Sequence, residues 1–129
     1  MTRSSHAAIS GRSGPVATRL DAFADYQDAE AWTWEHLALT RARFISGSPE
    51  FRKRFEDAVT TVLRRPRDRR MTANDVLEMR EAIAAEKGDA DIWDIKHAKG
   101  GLVDVEFIAQ FLQIVHAAEQ PEILNTNTA

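Results

Sequence analysis

From Leu20 onward, apolar residues recur every three or four positions, with polar residues between them. That spacing marks one face of an α-helix. Leu20, Phe23 and Ala24 predict a short helix, with Asp21 and Asp25 turned outward. A longer helix is predicted over Glu30 to Ser46, placing Trp34, Leu37, Ala38, Arg41 and Ile45 on one face. Gly47 stands where a left-handed C-cap would close it. Ser48-Pro49 then restarts the chain, because serine caps and proline suits the first helical position. Phe51, Phe55, Ala58, Val59 and Val62 form the next stripe, to about Arg64. Thr72 is the expected cap of a further helix, supported by Asp75. That helix carries Val76, Met79 and Ile83, with Arg80 at the edge of the face, and Gly88 ends it. The last helix is predicted from about Leu102 to Ala118. Its stripe is Leu102, Val105, Ile108, Leu112 and Val115, widened by Phe107 and Phe111, which predicts burial on more than one side. Pro121 stops it.

No window alternates with period two between turn signals. The expected fold is therefore all-α: an antiparallel helical bundle of about four main helices plus a short N-terminal helix, over residues 20–129. Residues 1–19 carry Ser4, Ser5, Ser10, Gly11, Ser13, Gly14 and Pro15, and read as a poorly ordered lead-in or the stump of an upstream domain.

Composition narrows the classes. Hydrophobic residues make up 43% of the 129 and charged residues 29%, as in an ordinary globular domain. The chain has no cysteine, so thiolate metal sites and disulfides are excluded. No apolar run is long enough to span a bilayer, and no secretory signal opens the chain, so no membrane partner is expected and the cytoplasm is the default location. The net charge of −3 argues against a nucleic-acid binder. That charge is uneven. Residues 1–70 hold 13 basic and 9 acidic side chains, and residues 71–129 hold 4 and 11. Arg64, Arg65, Arg67, Arg69 and Arg70 supply much of the positive excess and read first as a solvated connection between helices.

Candidate chemistry concentrates in Lys96 to Gln110. There a glycine pair with nearby cations runs into a helix whose first turn is acidic. Backbone N–H groups at such a start, with Lys96, Lys99, Gly100 and Gly101, are candidate substrate or phosphate contacts. The competing reading is a plain helix start whose acids complement the macrodipole. Asp104 and Glu106 lie two apart and cannot share one ligand from a regular helix, so no metal site is expected. Arg41, Asp104, Glu106 and Gln110 form a candidate structural polar network, and Arg41 and Arg43 call for carboxylate partners such as Glu106 or Asp104. Trp32 and Trp34 are expected to point in opposite directions, one into the core and one over a neighbour. His36 reads as a satisfied or solvated histidine. There is no P-loop, dinucleotide fingerprint, HExxH or GxSxG motif, and no Gly-Ser turn with a following Asp-x-Asp pair. No catalytic residues are assigned.

Three stretches carry a resemblance. Ala31-Trp32-Thr33-Trp34-Glu35-His36-Leu37-Ala38-Leu39-Thr40-Arg41-Ala42-Arg43 resembles a motif of the bifunctional glutamine synthetase adenylyltransferase/adenylyl-removing enzymes. So does Ile95-Lys96-His97-Ala98-Lys99-Gly100-Gly101-Leu102-Val103-Asp104-Val105-Glu106-Phe107-Ile108-Ala109-Gln110. Ser13-Gly14-Pro15-Val16-Ala17-Thr18, with Ala22-Phe23 and Tyr26-Gln27, is similar to the same family. The likeness runs over about residues 11–128.

The resemblance implies a helical domain that follows the catalytic domain of the C-terminal, adenylylating half. The parent enzyme would transfer AMP from ATP to a tyrosine of glutamine synthetase, with Mg²⁺ held by carboxylates of the catalytic domain. The PII signalling protein and glutamine would regulate it. Residues 1–9 depart from the arginine-rich strand that closes that catalytic domain, and the metal-binding acids are absent. The chain then reads as a piece of a longer enzyme that needs its catalytic domain as partner, holds no cofactor itself and does not catalyse alone. The alternative is a non-enzymatic helical regulatory or protein-binding module.

Overall fold

The computed structural model describes residues 18–127. The expected lead-in therefore lies largely outside the described residues. Within them the fold is all-helical: α1 (Leu20–Ala29), α2 (Thr33–Leu39), α3 (Pro49–Leu63), α4 (Arg69–Lys87), α5 (Leu102–His116) and a 3₁₀ turn (Pro121–Ile123).

The seven-residue α2 occupies the centre, touching α3, α4 and α5, while α1 packs on α3 and α4 on α5. Leu37 of α2 and Ile114 of α5 are each 1% exposed. They meet Val59 and Leu63 of α3, and Phe23, Phe55, Val76 and Met79 close around them.

The helix expected over Glu30–Ser46 is cut short at both ends. Ahead of it, the Glu30 and Ala31 N–H groups both donate to the Tyr26 carbonyl, closing α1 instead of opening α2. Behind it, the N–H groups of Thr40, Arg41 and Ala42 each reach back three residues, and the Thr40 hydroxyl donates to the Leu37 carbonyl at 2.7 Å. Such tight final turns end a helix. Leaving the helix lets Phe44 stack against Phe51 and Phe55, at centroid distances of 6.1 and 6.0 Å. Ile45 is consequently 94% exposed instead of sharing the face of Leu37. Gly47 does not cap this helix; its φ of 145° serves the turn into α3.

The start of α3 is as expected, with Ser48 accepting from the Phe51 N–H at 3.1 Å and Pro49 first in the helix. α4 begins earlier than expected. Asp68, not Thr72, is its cap, accepting from the Met71 N–H at 2.8 Å. A carboxylate can reach the orphan N–H three residues on, whereas Thr72 is already buried and donates back to the Asp68 carbonyl at 2.8 Å. Gly88 closes α4.

The arginine connection is less solvated than expected. Arg65 bonds the Asp28 carboxylate at 2.8 Å, and Arg67 turns inward to the Val62 carbonyl and His36, both at 2.8 Å.

Candidate functional site at the start of the last helix

The connection from α4 to α5 is a series of tight turns organised by aspartates. Asp91 accepts from the Trp93 N–H at 2.9 Å. Asp94 accepts from the N–H groups of Lys96 and His97 at 3.2 and 3.1 Å, and its second oxygen lies 3.0 Å from His97 Nδ1. The His97 N–H, then its ring, hold the Asp94 carboxyl below the usual carboxylate range. Short side chains that bond their own downstream backbone favour such turns.

The two glycines then do different jobs. Gly100 takes φ 77°, in the region that side chains disfavour. Gly101 is a close approach: a Cβ there would fall 2.4 Å from the Ile95 carbonyl oxygen.

This packing engages the helix start from within the chain. Gly100 N–H donates to Asp104 Oδ2 at 2.6 Å and Gly101 N–H to the Ala98 carbonyl at 2.8 Å. Leu102 and Val103 N–H donate to the carbonyls of Ile95 and Lys96, both at 3.0 Å. What projects toward solvent from the expected anion cluster is therefore the side chains of Lys96 and Lys99. Both residues are exposed, and Lys99 Nζ lies 3.9 Å from Asp89.

Arg80, assigned only an edge position from sequence, is the centre of the cluster. Its Nε donates to Asp104 Oδ1 and its Nη2 to the His97 carbonyl at 2.9 Å. The Arg80 bond, then the Gly100 N–H, hold the Asp104 carboxyl below the ordinary value. Arg80 Nη1 is buried and has no hydrogen-bond partner. The available signal was a cation within the stripe of Val76, Met79 and Ile83.

The four residues of the expected polar network divide into separate places. Arg41 pairs with Glu106 at 3.2 Å on the surface, Asp104 faces Arg80 instead, and Gln110 is buried farther along α5. Both acids of the first turns thus face arginines on opposite sides of the helix, which does not fit a shared magnesium site. Beside Arg80 and Asp104, a groove of about 470 Å³ runs between α4 and α5, lined by Val76, Leu77, Phe107, Ile108 and Phe111.

The motif around α2 is structural. His36 is buried, with Nε2 at 3.1 Å from the Gln27 carbonyl and Nδ1 at 2.8 Å from Arg67 Nη1. Arginine can only donate, so Nδ1 accepts and the ring is the neutral tautomer with its proton on Nε2. Burial first, then the Arg67 charge, push the His36 pKa down. Burial first, then Arg65, bring Arg67 itself to about 10. Trp32 and Trp34 line one cleft with Met79 and Ile83 instead of pointing apart. Trp32 precedes the helix in extended backbone, so helical rotation does not separate the two rings. The Glu35 carboxylate accepts from the Trp32 N–H at 2.7 Å and from the Tyr26 hydroxyl.

Residues 9–58 match the family described as glutamate-ammonia ligase adenylyltransferase, and residues 70–128 match the one described as GlnD PII-uridylyltransferase. Over 119 residues, 92% of this chain, it is 66% identical to the bifunctional glutamine synthetase adenylyltransferase/adenylyl-removing enzyme of Rhodopseudomonas palustris strain BisB5. The chain belongs to this adenylyltransferase/adenylyl-removing family. Similar enzymes include those of Bradyrhizobium sp. strain BTAi1, at 64% identity over 119 residues, and Xanthobacter autotrophicus strain Py2, at 60% over 120. These matches cover 92% and 93% of this chain respectively. The chain spans 12% of the length of each of these adenylyltransferases. Among the described residues, no helix is long and apolar enough to cross a membrane.

Proposed function

We propose that this chain is the helical accessory domain of a glutamine synthetase adenylyltransferase, the one that follows the catalytic domain of the adenylylating half. In this reading the parent enzyme transfers AMP from ATP to a tyrosine of glutamine synthetase in the cytoplasm. ATP and Mg²⁺ are handled by the catalytic domain, and the PII protein regulates the parent. This chain positions and does not catalyse by itself. Its helices pack as antiparallel neighbours.

The observation that carries the reading is the identity to adenylyltransferases across 92% of the chain, with Lys96 and Lys99 exposed on a hydrogen-bonded loop. Asp94, Arg80 and Asp104 hold the loop, and the glycine pair lets it lie against the helix start. A cationic pair fixed this way can meet a phosphate or an acidic protein surface as a set of point charges. The backbone donors, already bonded within the chain, shape this loop. Arg41 with Glu106, and Gln110 beneath, support the adjoining surface.

A second reading, a protein-binding module without enzymatic work, is favoured by the apolar face that α5 turns to solvent. Calorimetric titration of the folded chain with ATP–Mg²⁺ and with glutamine synthetase separates the two. Saturable binding of either, weakened by Lys96→Ala or Lys99→Ala, is the expected result. Absence of binding to both by a chain with intact helical content contradicts an accessory surface that works in this chain.

A further inference from the structure

We propose that the cleft between the start of α2 and the middle of α4 takes the guanidinium of an arginine carried by another part of the same enzyme. The cleft has a volume of about 390 Å³. Trp32 and Trp34 line it from the start of α2, and Met79 and Ile83 from α4, with the carboxylates of Asp75 and Glu78 among its walls. The extended backbone at Trp32 is what brings both indoles to one place, and both remain half-buried. A space of this size falls within the range of ligand sites.

The lining has the chemistry of a cation site. Aromatic faces attract cations electrostatically, and tryptophan does so most strongly. Asp75 and Glu78 add two negative charges, and no cationic side chain lines the cleft. Asp75 accepts from the Thr33 hydroxyl at 2.5 Å through Oδ2, which leaves its other oxygen to a ligand. Glu78 is exposed and has no hydrogen-bond or ion-pair partner among the described residues. The nearest cations along α4 are engaged elsewhere. Arg80 turns to Asp104, and Lys87, one turn beyond Ile83, lies 3.4 Å from Glu86. A guanidinium fits this lining better than an ammonium. It is planar and weakly hydrated, so it stacks on an aromatic face while its N–H groups reach carboxylates. Its apolar stem can lie along Met79 and Ile83.

The shape of the cleft points to the source of that arginine. Glu78 and Ala82 are exposed, so the cleft is too open to enclose a small molecule as a ligand pocket does. It suits a side chain delivered by a larger body. One such side chain is too little to hold a freely diffusing partner against the entropy lost on association. A tethered arginine escapes most of that loss, because a linked group is present at an effective concentration on the order of millimolar. This chain spans 12% of the length of its adenylyltransferase relative, and the rest of such a polypeptide is the tethered source. The cleft stands apart from Lys96 and Lys99 and does not rely on their role.

Two measurements test this. The first, on this chain, tests the chemistry. Trp93 is 85% exposed, and Trp93→Phe leaves Trp32 and Trp34 as the only tryptophans to fluoresce. A blocked pentapeptide with one central arginine among alanines should shift their emission saturably, at concentrations on the order of millimolar. The citrulline counterpart, uncharged and close in shape, should bind about tenfold more weakly. Glu78→Gln should weaken arginine binding roughly fivefold with helical circular dichroism unchanged. The second measurement tests the source, in the full-length Rhodopseudomonas palustris enzyme with this chain in place of its matched segment. A benzophenone amino acid at Ala82 should cross-link within one polypeptide, to an arginine-bearing peptide outside the inserted segment. No saturable shift, an equal response to citrulline, or indifference to Glu78→Gln overturns the cation site. A cross-link to a second copy or to glutamine synthetase, or none at all, overturns the tethered source.

Discussion

Arg80 and Asp104 meet across the α4–α5 pair, and the second oxygen of the same carboxylate receives the Gly100 N–H at 2.6 Å. One aspartate therefore neutralises a largely buried guanidinium and pins the glycine turn. Asp104→Ala should destabilise the chain by about 2 kcal/mol, because it leaves Arg80 without its countercharge. Replacing both with apolar residues, Arg80→Met with Asp104→Leu, should cost less than the single change. Urea unfolding of the three variants measures this. The Asp104 pKa is depressed on folding, so its contribution is full above the unfolded carboxylate value and is lost as pH falls through the folded one.

His36 should make the fold acid-sensitive at higher pH than the aspartates do. Its pKa is lowered on folding, so the unfolded state takes up the proton more readily. Stability is then full above the unfolded value, about 6.5, and falls as pH drops below it. Protonating Nδ1 would also cost the bond from Arg67. The urea midpoint should decline from neutral pH into the mildly acidic range, and His36→Gln should flatten that decline even if it lowers the midpoint overall.

Tyr26 is the only tyrosine, so the ultraviolet phenolate signal reports it alone. Burial first, then its hydrogen bond to Glu35, push the phenol up to about 12. The folded chain should show almost no phenolate at pH values where the urea-unfolded chain is half ionised, near 10. Glu35→Gln should move the midpoint back toward that value. Because the neutral phenol is the favoured form, this contribution to stability is present below the unfolded pKa and lost as pH rises through the folded one.

Gly101→Ala should be far more costly than an ordinary surface change, at about 2 kcal/mol or more. The added methyl would meet the Ile95 carbonyl, a backbone atom that cannot step aside as a side-chain tip could. Thermal unfolding measures this, and the loss should appear without any charge change at Lys96 or Lys99.

The elements themselves were legible where local chemistry was unambiguous. Ser48-Pro49 opened α3 and Gly88 closed α4 because capping depends on a few adjacent atoms. Periodicity failed where tertiary contacts overrode it. Residues 40–46 follow a helical pattern, yet the chain leaves α2 there and Phe44 packs against the rings of Phe51 and Phe55. In α5 the stripe of Leu102, Val105, Ile108 and Leu112 is largely exposed, because the side that meets the domain carries Val103 and Ile114 together with the buried Gln110 and Gln113, and those glutamines hide it from a reading of apolar spacing. The candidate site was half visible. Lys96, Lys99 and the glycine pair stand out in the chain. Arg80 comes from α4, 24 residues before Asp104, and only folding shows that it holds them.

In the proposed function, adenylylation by the parent enzyme depends on this chain as an accessory domain. The direct test is to replace the matched segment of the Rhodopseudomonas palustris enzyme with this chain and to measure AMP transfer to glutamine synthetase. The chimera should adenylylate at a rate near that of the unaltered enzyme. Lys96→Ala with Lys99→Ala should lower that rate while helical content is unchanged. A stable chimera without transfer activity, or one indifferent to the loss of both lysines, would contradict the accessory role.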